Sequence, residues 1–183
     1  MKNYVPTKEW MAYAIGALGQ GMVYAIMSSY ISDFYLNVLK LTPIFVLLLV
    51  LLARIWDAAI DPILGYYMDR ANPKHGKLKS YIIYTPIPIA VLTILLFYSP
   101  DLSGGALMAY CVITYLLWST VYSVSDVPFW SLPNLMTPNP DERGAIVSRA
   151  RTSNGVGSAI PMAFFMLLGF ILPSFGLSGT QLE

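Results

Sequence analysis

Charge is scarce in this chain. Only 11% of its 183 residues are Asp, Glu, Lys or Arg, where a soluble domain carries about a quarter. The net charge is +1, with no basic stripe and no helix-turn-helix or RNA-binding signature, so nucleic acid is excluded as a partner. There is one cysteine, Cys111. That excludes an intrachain disulfide and any cysteine-pair metal site. There is one histidine, His75, in a polar stretch. No Ser-His or Cys-His dyad can therefore form inside an apolar segment, which counts against an intramembrane protease and against an enzyme generally. A cleavable leader is missing too. The apolar segment after MKNYVPTKEW is too long for one, and no small-residue site closes it.

Hydrophobic residues make up 56% of the chain, and the mean hydropathy is +0.60. This describes an all-α polytopic membrane protein. A span needs roughly 20 mostly apolar residues. Five segments meet that need, over about 10–39, 43–68, 81–98, 106–135 and 145–172. The first is retained as a span. Short polar connectors separate them, and Pro86 and Pro88 predict a kink in the third. No soluble domain, low-complexity tract or complete internal repeat is visible. Lys2 and Lys8 lie in the N-terminal tail, Arg70, Lys74, Lys77 and Lys79 in the second connector, and Arg143 in the fourth. The opposite side offers only Lys40. The excess of positive charge puts the N-terminus in the cytoplasm of a cell-membrane protein.

Against this background three ionisable residues stand out. Arg54, Asp57 and Asp61 sit at the end of a strongly apolar run and are spaced by three and four, hence on one helical face. Each costs about 2.5–3.5 kcal/mol inside a span on insertion scales, so the face must look into protein or water. Pro62 weakens the backbone hydrogen bonding beside Asp61. Two carboxylates facing one arginine leave a negative charge over, which suits a cation or a proton. The alternative is a structural Arg54–Asp57 ion pair. The fourth segment carries Asp126 among Trp118, Tyr122, Phe129 and Trp130. Tyr122, Asp126 and Trp130 are four apart and share a face. A carboxylate flanked by rings suits a sugar, accepting its hydroxyl hydrogens and covering its C–H face. The alternative is an interfacial aromatic belt. In the fifth segment Arg151 lies about two turns in and is a donor to substrate hydroxyls or a partner for Asp126. Arg149 is nearer the edge, where it can snorkel. Gln20 is the most interesting polar residue of the quiet first segment. Its glycines, like Gly155 and Gly157, suit close helix packing.

These residues carry a resemblance. ARIWDAAIDPILGYYMDR (53–70) followed by HGKLK (75–79) resembles the second span and following loop of the glycoside–pentoside–hexuronide cation symporters of the major facilitator superfamily. YSVSDVPFWSLP (122–133) resembles their fourth-span motif. The likeness runs along essentially the whole chain. It implies a major-facilitator fold of twelve spans in two halves, of which this chain holds about five, an incomplete N-terminal half. The partner would be the C-terminal half of the same protein, and one half alone should not transport.

The resemblance further implies a coupling-cation site at Asp57 and Asp61 with the hydroxyl of Ser123. It implies sugar contacts from Asp126, Trp130 and Arg151, beside the Gln20 and Tyr122 read from the residues, and a cytoplasmic gate at Asp69 and Arg70 near Arg54. No cofactor is expected, and no metal beyond sodium at Asp57 and Asp61. There are two departures. The melibiose permease of this group has a Lys-Asp pair in its first span, where this chain has Gln20 and Gly21. It has an asparagine before the second aspartate, where this chain has Ile60, which tilts the expectation towards protons. The implied activity is cation-coupled symport of a glycoside, pentoside or hexuronide by alternating access. The competing readings are a same-fold carrier of lysolipid or another amphiphile, and a non-transporting membrane scaffold.

Overall fold

The computed structural model describes residues 4–70 and 78–174. Among these all regular structure is helical: α1 Thr7–Asp33, which continues as a wider, π-type turn Phe34–Val38, α2 Pro43–Arg70, α3 Lys79–Tyr84, α4 Pro86–Leu96, α5 Gly105–Ser131, α6 Pro133–Met136 and α7 Pro140–Ser174. Among the described residues three stretches are long and apolar enough to cross a membrane, Thr7–Val38, Pro43–Met68 and Gly105–Met136. The chain is a multi-pass, all-α membrane protein. The physical reason is that lipid offers no hydrogen-bond partner for an open backbone, so a spanning segment closes its own ladder.

The chain divides into two compact units, 1–30 with 139–183 and 31–138. In the first, Asn139 caps α7: its side-chain oxygen accepts from the Asp141 N–H at 3.0 Å and its carbonyl from the Arg143 N–H at 3.0 Å. Asp141 and Glu142 occupy the first turn, where the helix dipole favours negative charge. Glu142 also accepts from the Val5 N–H at 3.1 Å. The backbones of α1 and α7 cross closely. A methyl group placed on Gly21 would strike the Asn154 carbonyl, and one on Gly157 the Leu18 carbonyl. Asn154 donates to the Ala17 carbonyl at 3.1 Å and Ser158 to that of Gly21 at 3.3 Å. Around the crossing Ala14, Ala17, Ala25 and Ala150 are buried. This is small-residue packing reinforced by polar side chains, the usual way for helices to associate where lipid removes the hydrophobic drive.

The second unit is organised on α5, against which α2, α3 and α4 pack. α2 buries Val46, Leu49 and Ala53, which recur at helical spacing, while Ile44, Leu47, Leu48, Leu51, Leu52 and Ile55 are exposed. Such a helix is apolar all round and needs lipid or further protein about it. The third apolar segment, read as one kinked span over 81–98, is built as two helices. α3 ends at Tyr84, and Pro86 opens α4, where a missing N–H costs nothing. Thr85 at the junction donates to the Tyr81 carbonyl at 2.8 Å. Lys40, with φ 53°, turns the chain between the Phe34–Val38 turn and α2.

Candidate functional site

α2 and α5 bring most of the chemistry together. Ser119 Oγ donates to Asp57 Oδ1, and one residue away Trp56 Nε1 donates to Thr120 Oγ1 at 2.9 Å. Further along, the Asp61 carboxyl lies within electrostatic reach of Asp126. Rising numbers on α2 meet rising numbers on α5, so the two helices run in the same direction. A step of four residues, about 6 Å, then carries Asp57 to Asp61 and Ser119 to Ser123, and brings that second pair level. Asp57 and Asp61 are half-buried. Ser119 and Ser123 are 6% and 9% exposed. Asp61 Oδ1 is buried and has no hydrogen-bond partner among the described residues. Such an acceptor is costly unless something positive or a donor meets it.

One turn beyond Ser123, Asp126 Oδ1 accepts from Trp130 Nε1 at 3.1 Å. Tyr122 stacks on Trp118, with centroids 4.9 Å apart and planes at 10°. Trp118 is 1% exposed and is pinned by its Nε1–H to Thr93 Oγ1 of α4 at 2.9 Å. Tyr122, Asp126 and Trp130 are half-buried, so rings and carboxylate stay reachable. Arg54 is exposed one turn before Asp57. Arg70 lies over the Tyr66 ring, 4.0 Å from its centroid. The Asp69 side chain, like Lys74, His75 and Lys77, lies outside the described residues.

Gln20 and Arg151 belong to the first unit. Gln20 is half-buried on α1 and Arg151 exposed on α7. Arg149 lies over the Trp10 ring at 4.5 Å, a cation–π contact. It borders a cavity of about 240 Å³ that Val5, Trp10, Asn139 and Glu142 also line.

Ser119 is the residue that the sequence reading missed. Its signal was present: 119, 122, 123, 126 and 130 continue one helical face. Among the described residues no group of three or more His, Cys, Asp or Glu could hold a metal ion. Any cation here would rely on two carboxylates and neutral hydroxyls.

A sequence profile described as MFS/sugar transport protein matches residues 12–182. An uncharacterized symporter of Bacillus subtilis strain 168, YnaJ, is 33% identical over 160 residues, covering 87% of this chain and 34% of the relative. An isoprimeverose transporter of Lactiplantibacillus pentosus is 30% identical over 159 residues, 87% of this chain and 33% of the relative. The sodium-dependent lysophosphatidylcholine symporter 1 of Gallus gallus is 25% identical over 155 residues, 84% of this chain and 29% of the relative. The chain spans about one third of the length of the curated relatives it matches.

Proposed function

The chain belongs to the MFS/sugar transport protein family, within its glycoside–pentoside–hexuronide cation symporters, and from that premise we propose that it serves a secondary active transporter of the cell membrane. The cargo is a glycoside, pentoside or hexuronide, and the driving force is a proton or sodium gradient. The observation that carries this reading is the paired carboxylates of α2 against the hydroxyls of α5, with the Asp61 oxygen left without a donor. Asp57 and Asp61, with Ser123, hold the coupling cation. Asp126, Tyr122 and Trp130 hold the sugar, and Gln20 and Arg151 are further donors to its hydroxyls. The C-terminal half expected of the fold completes the path. Arg54, Asp69 and Arg70 serve the cytoplasmic gate, and the N-terminus is cytoplasmic. Cation and sugar favour the same closed state, which is the condition for coupling.

The test uses the full-length product of the coding sequence. Asp57→Asn and Asp61→Asn abolish gradient-driven sugar accumulation while leaving the protein in the membrane. Concentrative uptake at the wild-type level in both variants would remove the cation assignment. A lysolipid cargo is the second reading, favoured by the lysophosphatidylcholine symporter among the relatives. Competition of uptake by simple glycosides supports the sugar; competition by lysolipid alone supports the other.

A further inference from the structure

Hydroxyls on a buried helix usually bond back to the carbonyl one turn earlier. α5 shows that habit. Thr114 donates to the Tyr110 carbonyl, Thr120 to Leu116 and Ser131 to Val127, each at 2.8 Å. Ser119, in the same helix and equally buried, does not. It sends its only proton across to Asp57 Oδ1 on α2. A serine hydroxyl that donates once keeps two lone pairs, and this hydroxyl lies beside the Asp57 carboxylate of α2.

We propose that Ser119 is a second hydroxyl of the coupling-cation site, and that the site therefore takes an alkali cation, sodium, rather than a bare proton. The proposal rests on the symport reading above. It adds a residue and commits to the ion. A proton needs one carboxylate oxygen. A hard cation needs several oxygens converging at once. The parallel register of α2 and α5 supplies them at two levels, Asp57 with Ser119 and Asp61 with Ser123. The buried Asp61 Oδ1, without a donor among the described residues, is an acceptor that such a cation satisfies. The hydrogen bond to Asp57 also fixes the orientation of both groups, so the hydroxyl is both a ligand and a positioning contact.

The experiment measures glycoside uptake by the full-length protein in vesicles, against Na+ and Li+ concentration at fixed pH, and against a pH gradient without either ion. Wild-type uptake rises saturably with Na+. Ser119→Ala raises the half-activating Na+ concentration about tenfold, more than it shifts the half-saturating glycoside concentration. If Ser119→Ala fails to reach the membrane, Ser119→Thr is compared with Ser119→Val, its isostere without the hydroxyl. An equal Na+ dependence in that pair, or in Ser119→Ala and wild type, overturns the proposal. So does wild-type accumulation driven by the pH gradient and indifferent to Na+ and Li+, although that result leaves symport standing. Loss of the symport reading shows separately, as wild-type glycoside uptake that never exceeds equilibration under a Na+, Li+ or pH gradient.

Discussion

The Trp130 indole donates to the carboxylate it is meant to help, since its Nε1 lies 3.1 Å from Asp126 Oδ1 one turn earlier in α5. That bond fixes one oxygen of Asp126, the carboxylate that we propose meets the sugar hydroxyls. Trp130→Phe keeps a ring but removes the donor. A hydrogen bond to a charged group contributes about 1.5–3 kcal/mol, so glycoside affinity falls roughly tenfold or more. Asp126→Ala removes binding altogether. Equilibrium binding of a labelled glycoside checks both, and wild-type affinity in either variant would take that residue out of the sugar site. At this scale the sequence exposed charges well, because a carboxylate in an apolar run is anomalous whatever surrounds it. It exposed neutral partners poorly. Ser119 looks like any helical serine until the register of α2 on α5 is known, and that register depends on which faces pack, not on local composition.

Elements follow the same division. α2 and α5 are legible from hydropathy alone, since a long apolar run in lipid has no backbone solution but a helix. The break at Thr85 is less so: Pro86 and Pro88 announce a disturbance, yet whether a proline kinks a helix or starts a new one depends on its neighbours. The glycines of α1 and α7 look alike in sequence but differ in structure. A carbon added at Gly21 or Gly157 meets backbone of the other helix, while one added at Gly19 or Gly155 meets nothing. Gly21→Ala and Gly157→Ala each destabilise by about 1–3 kcal/mol through overpacking. Gly19→Ala and Gly155→Ala are neutral or slightly stabilising, since alanine is the better helix former. Thermal unfolding of the full-length protein in detergent separates the pairs, and equal melting temperatures across all four would mean that the helices do not cross there. The crossing also bears on one departure from the melibiose permease: a side chain at position 21 would meet the Asn154 backbone, so an aspartate there would force α1 and α7 apart.

For the whole molecule the open question is which way the chain is inserted. Positive charge gathers in the N-terminal tail and in the connector between α2 and α3, and the connector between α4 and α5 has none. Translocating Lys or Arg is disfavoured, so the proposed orientation puts the first two in the cytoplasm and the third outside. The chain is suited to a direct test, because its one cysteine, Cys111, is fully buried and gives little background to a thiol reagent. Lys8 and Ser103 are exposed, one at the start of α1 and the other just before α5. With Ser103→Cys in intact cells, a membrane-impermeant maleimide reacts at once. With Lys8→Cys it reacts only after the membrane is opened. The reverse pattern would invert the topology and move Arg54, Asp69 and Arg70, the proposed gate, to the outer face. Labelling of both positions from outside would mean that an even number of crossings separates them, whereas α1, α2 and the α3–α4 segment together make three. The two labels thus test the orientation and also whether the broken pair α3 and α4, 6 and 11 residues long, serves as one crossing.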